Sequence, residues 1–322
     1  MKAIQIRETG GPEVLTLVEL PIPQPGPGQV LIRVEATGVN FIETYFRKGV
    51  YKAALPMTPG SEAAGTVEEL GPGVAGFAAG DLVASTSVLG SYAEYALVPA
   101  AQLVKVPAAL GPEKAAAAML QGMTAHYLTH STFPLKAGDT CLMHAGAGGV
   151  GLLLTQIAVR LGARVITTVS TPAKAELSRE AGASDVILYN GQDFEAEVKR
   201  LTHGKGVDVV YDSVGKTTFE KSLNCLRPRG LLALFGASSG PVPPFDLIQL
   251  SSKGSLFITR PTLWHYLATR AELEWRSSDV LGWAAAGELK LRTEHIYPLA
   301  GAAQAQIDLE SRKTTGKILL EP

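Results

Sequence analysis

The fold is decided by the stretch TCLMHAGAGGVGLLLTQIAVRLG, residues 140–162. Its apolar start predicts a buried strand, its second half predicts a helix, and GAGGVG between them (146–151) fits the pattern G-x-G-x-x-G. In this setting the motif predicts a dinucleotide site: Gly146 permits a tight turn, Gly148 lets the backbone approach a pyrophosphate, and Gly151 lets the helix pack on the strand. The helix N-terminus adds N–H donors and a partial positive charge. The alternative is a glycine-rich turn without a ligand, which the strand and helix on either side disfavour.

Strands and helices alternate after this point, and the apolar strands are typical of a parallel sheet that is covered on both faces. The predicted strands are TCLMHA (140–145), RVITTVS (164–170), DVILY (185–189), GVDVVYDSVG (206–215), GLLALFGA (230–237) and SLFIT (255–259). We therefore predict an α/β chain whose residues 121–261 form a doubly wound parallel (Rossmann) domain. Residues 1–120 carry short β-like runs between turn signals, which predicts a mostly β domain, and residues 262–322 are expected to rejoin it.

Composition excludes several classes of function. The 29 Lys and Arg residues balance 30 Asp and Glu residues, so no basic field favours nucleic acid or an anionic membrane. The two cysteines lie in no CxxC or Cys/His pattern, which favours a reducing compartment over a disulfide framework. The charged N-terminal residues and the lack of a long apolar run lead us to expect a cytoplasmic protein without a membrane span.

The end of the second predicted strand indicates which dinucleotide binds. An Asp or Glu usually stands about 20 residues beyond the glycine loop to hold the ribose hydroxyls, but this chain has Ser170, Thr171 and then Lys174. Hydroxyls, a lysine and the N-terminus of a helix capped by Thr171 suit the 2′-phosphate of NADPH. The alternative is that Thr171 only caps the helix and Lys174 is a solvated surface lysine.

The motifs GVNFIETYFRKGVY, PGSEAAG, AGDLVA, HAGAGGVGLLLTQ and YDSVG occur in this order. With them the whole chain resembles the quinone oxidoreductase (zeta-crystallin-like) branch of the medium-chain dehydrogenase/reductase superfamily. The resemblance implies a GroES-like catalytic domain beside the Rossmann domain. It also implies a zinc-free enzyme, because zinc-dependent relatives carry a Cys and a His near the positions of Asn40 and Ser61. Without a Lewis acid, acceptors that delocalise the incoming charge are expected, namely quinones or enones.

The resemblance also implies site residues. Asn40 and Tyr45 match residues of a loop near the nicotinamide, and Tyr51 is a weaker candidate for shaping the quinone pocket. Tyr45 and Tyr51 could instead be ordinary half-buried aromatic residues, and Arg260 and Arg312 could be surface or interface residues. The residues expected to bind the cofactor are Asn40, Thr124, Gly148, Gly149, Val150, Ser170, Lys174, Tyr189, Ser213, Phe235, Gly236, Ser238, Arg260 and Arg312.

Three further expectations concern metals, partners and function. His126 and His130 have a spacing that can bind metal, but no third ligand is near, so no metal site is expected. The last predicted strand leaves an open sheet edge, which favours a homodimer through that edge. The predicted function is NADPH:quinone oxidoreductase. The alternatives are an NADPH-dependent enone or enoyl reductase and a non-catalytic, crystallin-like or RNA-binding protein, although the balanced charge disfavours RNA.

Overall fold

The computed structural model describes all residues from 1 to 322. The chain divides into two compact units: Met1–Met123 with Leu267–Pro322, and Thr124–Tyr266. We call them unit 1 and unit 2. No helix is both long enough and apolar enough to cross a membrane.

The N-terminal part of unit 1 is mostly β structure. Its strands are β1 (Lys2–Gln5), β2 (Thr16–Glu19), β3 (Gln29–Val39), β4 (Ala63–Leu70), β5 (Leu82–Ser85), β6 (Tyr95–Pro99) and β7 (Val104–Lys105), and its helices are α1 (Phe41–Arg47) and α2 (Pro112–Tyr127), the last of which continues into unit 2. The long strand β3 pairs with both β4 and β6. Its alternate residues Val30, Ile32 and Val34 are buried in one apolar core, as period-two alternation requires.

Unit 2 is a six-stranded parallel sheet. Its elements are β8 (Thr140–His144), α3 (Gly149–Arg160), β9 (Arg164–Val169), α4 (Pro172–Glu180), β10 (Asp185–Leu188), α5 (Phe194–Leu201), β11 (Val207–Asp212), α6 (Phe219–Asn224), β12 (Leu226–Leu234), α7 (Ile248–Ser252) and β13 (Phe257–Thr259). The strand order is β10-β9-β8-β11-β12-β13. This is the 3-2-1-4-5-6 order of the dinucleotide-binding fold, and it reverses between β8 and β11.

The C-terminal part of unit 1 adds α8 (Arg270–Ala285), β14 (His295–Pro298), α9 (Ala302–Glu310) and β15 (Ile318–Glu321). β15 pairs antiparallel with β3, with Ile318 opposite Val39. The seven-stranded sheet of unit 1 therefore joins C-terminal strands to β3, and this pairing places residue 317 beside the start of α1.

The predicted fold class is confirmed, although the last strand of unit 2 is shorter than its sequence pattern. The last strand of unit 2 begins at Phe257 rather than Ser255, because Gly254 and Ser255 both adopt positive φ angles (116° and 54°).

Candidate functional site

The glycine loop connects β8 to α3 at the carboxyl edge of the sheet. The tight turn is present, because the N–H of Gly148 donates to the Ala145 carbonyl oxygen (2.9 Å) across Gly146, but the residue with positive φ is Ala145 (56°) rather than Gly146. Gly146 is required for space instead, because a Cβ there would lie 2.6 Å from Cβ of Thr167 and 2.9 Å from Oγ of Ser178. At Gly151 a Cβ would overlap the Ala145 carbonyl oxygen. These two glycines therefore let the loop and helix α3 pack closely on the strands.

Gly148 has a different environment from these two glycines. A Cβ built there meets only Ala145, at 3.2 Å from its carbonyl oxygen and 3.9 Å from its Cβ. Gly148 is the N-cap of the twelve-residue helix α3, and no side chain caps the first turn. An open face at the N-terminus of a long helix is the geometry that accepts a diphosphate. The residues present therefore fit a dinucleotide cofactor.

The end of β9 carries no carboxylate. Ser170 follows the strand, and Thr171 caps α4 by accepting a hydrogen bond from the backbone N–H of Lys174 (3.3 Å). Asn190 donates to the carbonyl oxygen of Ser170 (2.8 Å), which ties the end of β10 to the end of β9 beside the partly exposed Tyr189. Hydroxyls and a lysine at a helix N-terminus fit a 2′-phosphate, as the sequence predicts.

The carboxyl ends of β11 and β12 are joined by backbone hydrogen bonds. The N–H groups of Phe235 and Gly236 donate to the Asp212 carbonyl oxygen, and that of Ser238 donates to the Ser213 carbonyl oxygen. The guanidinium of Arg260 donates to the Leu234 carbonyl oxygen (2.9 Å). The structure therefore brings to this edge of unit 2 four residues that are expected to bind the cofactor: Ser213, Phe235, Gly236 and Ser238. Arg260 lies beside them.

Beneath this edge runs a buried polar chain that sequence reasoning missed. Oγ of Ser222 lies 3.0 Å from Nε2 of His144 and donates to Oδ2 of Asp212 (2.9 Å), and Nδ1 of His144 lies 2.9 Å from Oγ1 of Thr168. Burial lowers the pKa of His144, and the nearby Asp212 only partly opposes this. A neutral imidazole thus links β9, β8 and α6, while the other oxygen of Asp212 accepts from the N–H groups of Val214 and Gly215.

Unit 1 contains a second buried polar cluster, around Asn40. The Nδ2 group of Asn40 donates to Oε2 of Glu62 (3.0 Å), and its Oδ1 accepts from Nζ of Lys317 (2.8 Å). Lys317 also forms an ion pair with Glu62. The backbone N–H of Asn40 donates to Oε2 of Glu43 (2.7 Å). All four side chains are at most 6% exposed, so Asn40 is held in one orientation.

Glu43 differs from Glu62 because no cation is paired with it. Its other oxygen, Oε1, accepts a hydrogen bond of 3.3 Å from the half-buried hydroxyl of Ser61. Burial raises the pKa of Glu43 to about 7; Lys317 opposes this rise and Glu62 adds to it. A carboxyl group with this pKa can exchange protons at neutral pH.

The remaining predicted residues are more dispersed. The rings of Tyr45 and Tyr51 meet edge to face with centroids 5.4 Å apart, and Tyr51 is 39% exposed. Thr124 is buried, and it belongs to unit 2. Arg312 lies in unit 1 in the loop after α9, with a φ of 59°. These positions leave their assigned roles as predictions.

The residues around Asn40 and Ser61 do not suit zinc. An amide, a hydroxyl and two carboxylates stand there with a lysine ammonium, whereas zinc sites use Cys, His and carboxylate ligands. No three His, Cys, Asp or Glu residues converge in a geometry that could hold a metal ion.

Glu43 offered a signal in the sequence, because it stands three residues after Asn40, the spacing of a capping box. Glu62 and Lys317 are 255 residues apart and offered none.

Comparison with known proteins now identifies the family. Residues 26–108 match the alcohol dehydrogenase GroES-like domain, and residues 149–271 match the family described as zinc-binding dehydrogenase. The chain is 46% identical to a quinone oxidoreductase of Pseudomonas aeruginosa, covering 100% of this chain and 99% of that one. This chain belongs to the quinone oxidoreductase family. The family predicted from the sequence is therefore confirmed.

Two further members of the family inform the function. The chain is 45% identical to a 2-haloacrylate reductase of a Burkholderia species, over 99% of this chain and 98% of the relative. A solved structure of a mycobacterial protein complexed with NADPH matches with a TM-score of 0.98 and 52% identity, over 100% of both chains.

Proposed function

We propose that the protein is an NADPH-dependent quinone oxidoreductase. The observation that carries this proposal is the cofactor edge of unit 2, where an open glycine loop at a helix N-terminus stands beside a strand end with hydroxyls and a lysine but no carboxylate. The full-length relatives support it, since one is a quinone oxidoreductase and another structure contains NADPH. The prediction of an oxidoreductase enzyme agrees with these relatives.

The residues of unit 2 would hold the cofactor by its phosphates. The N–H groups at the start of α3 suit the diphosphate, and Ser170 and Lys174 suit the 2′-phosphate. When bound, the cofactor supplies hydride. The chain of His144, Ser222 and Asp212 fixes the loops on either side of the switch point, because its hydrogen bonds link β8, β9 and β11.

The residues of unit 1 would act on the acceptor. The amide nitrogen of Asn40 carries two hydrogens, of which one is donated to Glu62, so the second is available for an acceptor oxygen. Lys317 and Glu62 hold the amide in place on both sides. We propose Tyr45 and Tyr51 as further donors or as walls of the acceptor pocket. Changing both to Phe with no effect on quinone turnover would exclude them as donors.

A second candidate function is reduction of an alkene conjugated to a carbonyl group. The similarity to a 2-haloacrylate reductase favours it. Both reactions deliver hydride to an acceptor that delocalises the charge, so the same residues serve either one.

The test is a panel of quinones, enones, 2-haloacrylate and simple aldehydes, assayed with NADPH and with NADH after treatment with a chelator. We expect quinones to be reduced fastest, NADPH to bind at least about ten-fold more tightly than NADH, and the chelator to have no effect. A tenfold ratio corresponds to about 1.4 kcal/mol, within the range of one charge-assisted contact. Equal affinities for the two cofactors, or loss of activity with the chelator, would contradict the proposal.

We also propose a cytoplasmic, zinc-free homodimer. Both cysteines are free and buried, which suits a reducing compartment. The edge strand β13 carries Phe257, which is 60% exposed, and this apolar edge supports pairing with a second copy. Light scattering at micromolar concentration should give twice the mass of the chain; the mass of a monomer would reject the dimer.

A further inference from the structure

Glu43 is a buried carboxyl group that makes one hydrogen bond to a partly exposed side chain, that of Ser61. Its side chain belongs to a residue that is 2% exposed, and Oε2 is committed to the backbone N–H of Asn40. Oε1 faces Oγ of Ser61 at 3.3 Å, and Ser61 is only half-buried. A proton that leaves or reaches Glu43 along hydrogen bonds therefore passes through the Ser61 hydroxyl.

The charged groups around Glu43 do not neutralise it. Lys317 forms its ion pair with Glu62 rather than with Glu43. Arg47, on the same helix, donates to Gln306 and Glu310. Tyr92 is buried nearby and keeps its proton, since burial and the charge of Glu43 raise its pKa well above the usual value. One lysine thus serves two carboxyl groups, and Glu43 is the one left to hold a proton.

The reaction of the proposed function needs such a proton. Reduction of a quinone to a hydroquinone takes up two electrons and two protons. A hydride carries both electrons and one of the protons, so the second proton must come from the protein or from water.

We propose that Glu43 stores this second proton and delivers it to the acceptor oxygen through the hydroxyl of Ser61. As the new O–H bond of the acceptor forms, the O–H bond of Ser61 breaks, and the proton on Oε1 of Glu43 restores the Ser61 hydroxyl. The carboxylate left on Glu43 regains its proton from solvent before the next turnover. This proposal rests on the proposed function, with Ser61 as the group in contact with the acceptor and Glu43 acting through it.

The experiment combines a measurement on the free protein with single-turnover kinetics. Infrared difference spectra of the free protein between about pH 6 and pH 8 report a protonated carboxyl group directly. Stopped-flow mixing of the NADPH complex with a quinone reports the chemical step over the same pH range. The variants are Glu43→Gln, which keeps the shape and the acceptor for Asn40, Ser61→Ala, and Ser61→Thr, which keeps the hydroxyl. Glu68→Gln, on the exposed side of β4, is the matched control.

In the wild-type protein we expect a carboxyl band that disappears near pH 7 and a single-turnover rate that falls over the same range. Glu43→Gln should remove the band, slow the step by about 100-fold and flatten its pH profile, which is the usual effect of losing a general acid. Ser61→Ala should keep the band but slow the step similarly, Ser61→Thr should restore the profile, and Glu68→Gln should match wild type.

Two results would overturn the proton path alone. One is the absence of a titrating band in the free wild-type protein, and the other is unchanged rates and profiles in Glu43→Gln and Ser61→Ala. If wild-type protein binds NADPH but reduces none of the acceptors, the proposed function fails instead, whatever the infrared spectra show.

Discussion

Replacing Glu43 with Gln should change how the stability of the protein depends on pH. The folded protein holds the proton of Glu43 up to about pH 7, whereas the model value for an unperturbed glutamate is 4.5. Because the folded state binds the extra proton between these values, the stability due to Glu43 is complete below about pH 4.5 and is lost as pH rises through 7. At 1.36 kcal/mol for each pH unit, the loss is about 3 kcal/mol.

The assay is urea denaturation at several values between about pH 5 and pH 8, with Glu68→Gln as the control. Gln is uncharged at every pH, so Glu43→Gln should resemble wild type at the acidic end. It should gain about 3 kcal/mol relative to wild type at the basic end. Parallel curves for the two proteins would refute the reasoning. A relative gain for wild type as pH rises would show that Lys317 stabilises an ionised Glu43.

Three further predictions test the buried ion pair of unit 1 and the cofactor edge of unit 2. Lys317→Met leaves Glu62 as an unpaired buried charge and should lower the unfolding free energy by about 3–5 kcal/mol. The double variant with Glu62→Gln should recover most of this loss, and losses of the two single variants that simply add in the double variant would contradict the pairing. Gly151→Ala forces the first turn of α3 away from Ala145, so the dissociation constant for NADPH should rise at least about ten-fold. The control is Gly191→Ala, which should have no effect in the same titration because no atom lies within 4 Å of the new Cβ. Lys174→Ala should weaken NADPH by about ten-fold and leave NADH unchanged, since only NADPH carries the 2′-phosphate; equal weakening of both cofactors would show that Lys174 does not read the phosphate.

The sequence was most informative for unit 2. Its strands are apolar on both faces and separated by helices, and the glycine motif stands at a junction where Gly146 and Gly151 pack closely and Gly148 leaves an open face. The predicted turn at Gly146 is present, but the pattern shows only that a glycine is needed there and not why. In the structure the reason is the neighbouring side chains of Thr167 and Ser178 rather than the backbone angle.

The buried cluster of unit 1 shows where pattern reasoning stops. Glu62 and Lys317 meet because β15 pairs with β3, and no local property of either segment encodes that pairing. Gly38 is the residue in the sequence that reflects this pairing. It lies in strand β3 without a positive φ, yet a Cβ there would overlap Oε2 of Glu62 and lie 2.6 Å from Nζ of Lys317. A glycine inside a strand without a turn to explain it thus marks a close approach of buried groups.

The charges in this cluster give a reason for its composition. A buried ion pair is a poor source of stability, because a matched apolar set usually does as well or better. Lys317 and Glu62 nevertheless hold Asn40 on two sides, and the same lysine is too fully engaged to keep Glu43 ionised. The cluster therefore yields a fixed amide donor and an exchangeable proton within one capping turn. The proposed metal-free reduction would use those two groups at the acceptor oxygen, and an apolar core would supply neither.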